Sequence, residues 1–276
     1  MVRTKKSIDE EQRVQLFDQP FADPVFLRMK WTKAFTHGLV DRVVKWGSRP
    51  SKRVLVVGLE DGGDLAMRFL KLGMFVTVVD PDRAKVDALN RLADAAGTGL
   101  KLNAFVDEYV SRQFAISSFD LVCLFSILSR YSEPFVVVRK AKREMKTAAQ
   151  LFARFRTRPD IGLPQRLPAF VGRFAKKVSD FADLENYLFR LPTASLVIQE
   201  MENEFKVQDI ISMDTLTLPL TLTIGRLGLP LPVDRAEGLI HGLETRIPER
   251  FRQVIGGSIS VFATKEKELG TTFSVR

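Results

Sequence analysis

The residues whose types and spacing could do chemistry gather in one stretch, VLVVGLEDGGDLAMRFLKLGMFVTVVDPD, positions 54–82. It carries glycine at 58, 62 and 63, and its second apolar run ends on Asp80. A short apolar run feeding a glycine turn and then an amphipathic segment puts free backbone N–H groups and the positive end of a helix dipole at one point, which suits an anionic ligand. Gly58 and Gly62 let the backbone come close to an adenosine cofactor. Asp80, 22 residues beyond Gly58, stands about where an acid accepts ribose hydroxyls. Asp107, after the next apolar run, is placed to meet an adenine amino group. A purely structural turn-and-strand pair would show the same glycines and terminal acid. A dinucleotide reading takes Gly58, Glu60 and Gly63 as G-x-G-x-x-G; it fails at the middle glycine and lacks an evident second mononucleotide half.

Other candidates for chemistry are sparse. The two histidines are His37 and His241. His241 lies in LIHGLETR with Glu244 three residues later on the same helical face, which could orient it; the alternative is a solvated helical histidine. His37 falls on an N-terminal helix that could form a lid over the pocket. The single cysteine, Cys123, sits in the middle of an apolar run and reads as core. It excludes an intramolecular disulfide and a cysteine-cluster metal site, fits a reducing compartment, and no metal is expected. An oxygen acceptor would need a base in addition to positioning, and the catalytic residues are not identified.

The elements that must position these residues follow from the hydrophobic pattern. Strands are expected at 53–58, 75–79, 100–106, 119–125, 150–155, 205–213 and near 256–265, with helices at 24–46, 64–72, 82–97, 134–146 and 195–204. A short helix is expected around 108–114. Pro24 suits a first helical position with Asp23 as its cap, and Asp82 caps another helix. This alternation predicts a parallel sheet with crossover helices on both faces, its last strand antiparallel at or near the edge. After Arg156 the rhythm breaks into a proline-rich loop and an insertion. If 169–182 is helical, Phe170, Phe174, Val178 and Phe181 share one side and Arg173, Lys176 and Lys177 the other. A further helix is expected near 234–245. The division is a 1–50 helical extension, a 51–156 core, a 157–195 helical insertion and a 196–276 remainder of the core with its last two strands.

With 276 residues the chain is near the limit for one hydrophobic core, and 45% hydrophobic residues suit an ordinary globule. No apolar run approaches the roughly 18 residues that cross a bilayer, and the N-terminus lacks a signal-peptide core; the expected location is cytoplasmic, with membrane association through 166–181 as a further expectation. The net charge of +9 is concentrated: residues 130–177 hold 13 Lys or Arg against Glu133, Glu144 and Asp160. Such a field attracts an anionic surface or substrate, or is simply a solvated face. Nucleic acid is disfavoured, since no RNA-binding motif interleaves aromatics with the basic residues. The oligomeric state is not legible.

From about Arg53 to Arg156, with a weaker echo at 196–213 and 256–265, the chain resembles the class I S-adenosylmethionine-dependent methyltransferases. VLVVGLEDG at 54–62 matches their V-L-D-L-G-x-G-x-G, Asp80 their second-strand acid, and Val106-Asp107-Glu108 their G-D-A. Phe119-Asp120-Leu121-Val122 matches their F-D-L-V, and Met145-Lys146-Thr147-Ala148-Ala149 their L-K-P-G-G. Two departures fall in the cofactor turn: Val56 replaces an acid, and Glu60 replaces the second glycine. A carboxylate at 60 would face that of S-adenosylmethionine unless it turns outward, which leaves open a divergent working site or a retired one. No Asn-Pro-Pro-aromatic or Asp-Pro-Pro-aromatic tetrapeptide follows the fourth strand. The resemblance implies a seven-stranded Rossmann-like α/β sheet with helices on both faces, an N-terminal helical extension and an α-helical insertion. It implies S-adenosylmethionine as cofactor, held by Gly58, Leu59, Glu60, Gly62, Asp80, Pro81, Asp107 and Phe125. It further implies methyl transfer to a small or lipid-like acceptor. The alternative is a catalytically inactive relative that acts as a binding or scaffold subunit through its basic face.

Overall fold

The computed structural model describes residues 31–48, 52–59, 63–125, 128, 131–158, 191–213, 243, 246–248, 251–252 and 257–266. Outside these lie residues 1–30, Glu60, Gly62, the 166–181 amphipathic segment, His241 and Glu244, so the expectations placed on them have no structural counterpart here. His37 lies on a described helix.

The elements run α1 (Trp31–Gly47), β1 (Arg53–Val57), α2 (Asp64–Lys71), β2 (Phe75–Asp80), α3 (Arg83–Ala95), β3 (Leu102–Val106), β4 (Phe119–Leu124), α4 (Pro134–Glu144), β5 (Met145–Thr157), α5 (Ala194–Glu204), β6 (Lys206–Met213) and β7 (Gly257–Thr264). The seven strands form one sheet in the order β3-β2-β1-β4-β5-β7-β6. Strands β1 to β5 are parallel; β7 runs antiparallel between β5 and β6. The seven-stranded α/β expectation therefore holds, including the antiparallel final strand one place in from the edge.

Strand β1 is central because RVLVV offers apolar, mostly β-branched side chains to both faces, and residues 54–57 are buried. Val54 and Val56 join Leu39, Val43, Phe69 and Leu89 of α1 to α3 in one core. Leu55 and Val57 join Val137, Ala141, Val197 and Met201 of α4 and α5 in the other. Each fully buried Val, Leu or Phe contributes about 1.5–3 kcal/mol of transfer free energy, so both layers are held by the alternation of one strand.

Local chemistry sets the ends. Asp82 caps α3 by accepting the Ala84 amide at 2.9 Å, and Gly97 follows that helix at φ 67°, the left-handed conformation that closes a helix end. Gly47, at the end of α1, lies so close to the sheet that an added Cβ would sit 2.6 Å from Leu121 Cδ2. Lys52 then donates to Gly47 O and to Gln150 Oε1 at 3.2 and 2.6 Å, fixing α1 to β5. The described part of α1 packs on the face of the sheet, with Leu39, Val40 and Val43 buried.

Three local expectations are corrected. Residues 108–114 hold no helix: 109–111 form a turn, and the Ser111 and Arg112 amides donate to Glu108 O. β5 starts at Met145, directly after α4, and runs 13 residues. Helix α4 is not simply basic on its outer side: Lys140 is 3% exposed and pairs with Glu144, whose other oxygen accepts the Tyr109 hydroxyl at 2.6 Å. Burial, the nearby Glu144 charge and the hydrogen bond to it push the Tyr109 phenol well up; burial pulls the Lys140 ammonium down against the pull of Glu144. The basic segment is further neutralised by Lys142 with Glu204 at 2.8 Å and Lys146 with Asp120 at 2.9 Å.

Candidate functional site

The strand order reverses between β1 and β4: the chain leaves β1 for β2 on one side and enters β4 from β3 on the other. In open α/β sheets, ligands bind beyond the strand carboxyl ends at such a switch point, because the diverging crossover connections leave a crevice there. At this place stand Gly58, Leu59 and Phe125. Gly58 has φ 89°, a conformation costly for any residue with a Cβ, and turns the chain from β1 towards α2. At the near end of α2 Gly63 repeats the device at φ 88°, and an added Cβ there would meet Leu89 Cδ1 at 3.1 Å. Helix α2 starts directly after Gly63, so the positive end of its dipole lies at this corner.

The tips of the first four strands are laced together. The Phe125 amide donates to Val57 O at 3.0 Å, that of Gly58 to Val79 O at 3.0 Å, and that of Asp107 to Asp80 O at 3.3 Å. Asp80 is the knot: its Oδ2 accepts the Leu59 amide at 2.6 Å and its Oδ1 the Asp82 amide at 2.8 Å, with the residue only 4% exposed. The acid expected to hold a ribose therefore first fixes the turns after β1 and β2. A carboxylate has about four acceptor directions, so a ligand hydroxyl can share it, though only from the small part of Asp80 left uncovered.

The remaining sequence-derived residues divide by what they offer. The Leu59 and Phe125 side chains are each 1% exposed and belong to the core on the α1 to α3 face. Phe125 lies between Phe152, with centroids 5.9 Å apart, and the Arg154 guanidinium at 5.9 Å. Pro81 is half-buried between the two aspartates. Asp107, at the end of β3, accepts the Glu108 amide at 2.8 Å and approaches Arg112 at 3.4 Å. Val56 is 1% exposed and packed in the core, so no acid stands beneath the turn from that position. Cys123 is buried in mid-strand.

Two features escaped the sequence reading. Arg112 lies over the Phe105 ring at 3.4 Å from its centroid, which fixes the charge beside Asp107. Tyr131 donates to Glu108 Oε2 at 3.1 Å and so ties the loop after β4 to that after β3. Their only sequence signal is an aromatic or basic residue in an otherwise polar loop, which also describes most solvated loops. The FDLV match, by contrast, has a structural use: Asp120 accepts the Arg53 amide at 2.9 Å and Lys146 at 2.9 Å. Burial works against its charge, yet the Arg53 amide and Lys146 together hold its carboxyl below the ordinary aspartate range. No group of three or more His, Cys, Asp or Glu able to hold a metal occurs among the described residues, and no described helix is long and apolar enough to cross a membrane.

No protein-family model matches the sequence, and no curated protein does. Solved structures do share its architecture. The cyclase SpnF superposes with a TM-score of 0.55 at 18% identity, covering 83% of this chain and 81% of SpnF. The geranyl diphosphate C-methyltransferase of Streptomyces coelicolor A3(2), solved with S-adenosyl-L-homocysteine, gives 0.55 at 13% identity over 83% and 76%. The YcgJ protein of Bacillus subtilis gives 0.52 at 17% identity over 84% and 99%. A cyclase and a methyltransferase on one scaffold illustrate that architecture and reaction are separable. What the strand order, the glycine turn and these superpositions establish together is that the chain has the class I methyltransferase fold.

Proposed function

We propose that the protein transfers a methyl group from S-adenosylmethionine to a small or lipid-like acceptor. The observation that carries this reading is the left-handed Gly58 at the end of the central strand, on the switch point between β1 and β4. The residues present fit the cofactor in kind: a turn without a Cβ at its start, a helix N-terminus behind it, and Asp80 and Asp107 at successive strand tips. In this reading Gly58, Leu59, Glu60 and Gly62 face the methionine end, Asp80 and Pro81 the ribose, and Asp107 and Phe125 the adenine. The cofactor supplies an electrophilic methyl carbon, and transfer to an acceptor lone pair is an in-line displacement. The protein's part is to hold both reactants in line and keep water out.

Calorimetric titration of the full chain with S-adenosyl-L-homocysteine tests it. Binding is expected at micromolar concentration and should be lost in Gly58→Val, whose branched side chain does not tolerate φ 89°. No heat of binding at about millimolar ligand from a protein that melts cooperatively defeats the reading. It would favour instead a non-catalytic binding subunit on the same fold, a reading supported by the Asp80 oxygens, which already serve two backbone amides.

A further inference from the structure

We infer that the acceptor carries an acidic head group, a phosphate ester or a carboxylate, which is bound by a row of arginines on β5. Residues two apart on a strand share a face, so Arg154 and Arg156 project from the same side of the sheet, about 7 Å apart along the strand, and Arg158 follows directly after the end of β5, bridged to Thr193. All three are half-buried. The register fixes their surroundings: Arg154 stands opposite Ser260 and Arg156 opposite Ser258 on β7, and Ile211 and Met213 of β6 stand beyond these serines. Phe152 and Phe262, one step nearer the amino end of β5, lie on this face in the core beneath α1. The row begins where that apolar packing stops and climbs towards the carboxyl end of β5, the side on which Gly58 and Phe125 lie.

Two further observations point to a ligand. The Arg154 guanidinium lies over the Phe125 ring at 5.9 Å, which joins the row to the switch-point crevice. Ser260 is 0% exposed, and its Oγ has no hydrogen-bond partner. A buried hydroxyl without a partner costs about 1–3 kcal/mol, and here it shares the face of the arginines. The arginines also make contacts within the protein, but each guanidinium has five N–H donors in a planar fork and can serve the fold and a bound oxyanion together. Arginine is suited to this task because the fork matches phosphate and carboxylate oxygens two at a time. The adjoining Ile211 and Met213 extend the site with apolar surface, so the molecule that fits has an acidic head and an apolar body.

This inference rests on the methyltransferase reading for calling the ligand an acceptor, and on β5 and β7 for the anion site. The test is calorimetry of the full chain with inorganic pyrophosphate and, in parallel, with citrate. Each is titrated into wild type, Arg156→Gln, Arg156→Lys and the exposed control Arg139→Gln on α4. S-adenosyl-L-homocysteine is titrated into the same four proteins. The expected result is saturable anion binding in wild type and Arg139→Gln, weakened about tenfold or more in Arg156→Gln, with homocysteine-nucleoside affinity unchanged. Arg156→Lys, which keeps the charge and the stem, should fold even if Arg156→Gln does not, and should lose part of the affinity because the fork is gone. Tighter pyrophosphate assigns phosphorylated acceptors, and tighter citrate assigns carboxylates. Binding of neither anion at about 10 mM, or binding indifferent to both Arg156 variants, overturns the inference. Row-dependent anion binding without nucleoside binding would leave the anion site standing and defeat only the methyltransferase reading; nucleoside binding without anion binding does the reverse.

Discussion

Asp80→Asn removes one oxygen from the side chain on which two turns depend, and its cost can be worked from the geometry. In the native protein Oδ2 accepts Leu59 N at 2.6 Å and Oδ1 accepts Asp82 N at 2.8 Å, both inside a residue that is 4% exposed. Asparagine keeps one acceptor, but whichever way its amide turns, an NH2 group then faces a backbone N–H. One hydrogen bond to a charged acceptor is lost, at about 1.5–3 kcal/mol, and a donor left without a partner in a buried place adds a cost of similar size. A net loss of about 3 kcal/mol lowers the melting temperature by roughly 6–10 °C in a chain of this size. Asp80→Ala leaves both amides without acceptors and should cost at least as much. Differential scanning fluorimetry of wild type and both variants provides the measurement, at neutral pH and without ligand, so that any loss of cofactor affinity does not enter. An Asp80→Asn protein that melts within about 2 °C of wild type, under half a kcal/mol to one kcal/mol by the same conversion, would show that the carboxylate does not hold the turns. Its role would then be left to the ligand alone.

Breaking the buried Lys140–Glu144 pair by Glu144→Gln should destabilise by about 3 kcal/mol or more, whereas Lys140→Met with Glu144→Leu together should recover most of that loss, measured by urea unfolding. Asp120 gives a pH signature: its folded pKa is depressed, so the folded state binds its proton less readily than the unfolded state does. Its contribution is therefore complete above the ordinary aspartate range and is lost as pH falls through the depressed folded value; Asp120→Asn should flatten that part of the stability-against-pH curve. Ala148 has φ 60°; Ala148→Gly relieves about 1–2 kcal/mol of left-handed strain against about 0.5–1 kcal/mol of added chain entropy. The expected result is a modestly raised melting temperature, and a lowered one would contradict the conformational assignment.

Much of the frame was legible because parallel strands at the centre of a sheet are short apolar runs. VLVV at 54–57 and FDLVCL at 119–124 had to be buried on both sides, and the glycines between β1 and α2 had to turn the chain. Asp82 as a cap was local chemistry, visible in three residues. What was not legible depends on neighbours remote in sequence. Lys140 belonged to a basic run until Glu144 and Tyr109 enclosed it, and the hold of Asp80 on the amides of Leu59 and Asp82 is invisible to spacing. The junction of α4 and β5 shows both sides. The resemblance matched 145–149 to the family's L-K-P-G-G; the structure places these residues inside β5, at a shift of its register with β4, and Ala148 takes the left-handed conformation at the position of a family glycine. Where the strand begins was missed, because Lys265 Nζ reaches from beyond β7 to Lys142 O and Met145 O at 2.9 and 3.0 Å, and so closes the helix end from far along the chain.

The place of β7 has a consequence for how the chain is made. β6 is synthesised some fifty positions ahead of it, yet among the described residues β6 meets the sheet only through β7. While the ribosome has not yet released positions 257–264, the flank of β5 stands open with its main-chain groups unmatched, and β6 has nowhere to dock. The nascent protein therefore passes through a stage with a sticky rim, during which another partly made copy could pair there. Insertion of a single late segment ends that exposure by sealing both neighbours at once.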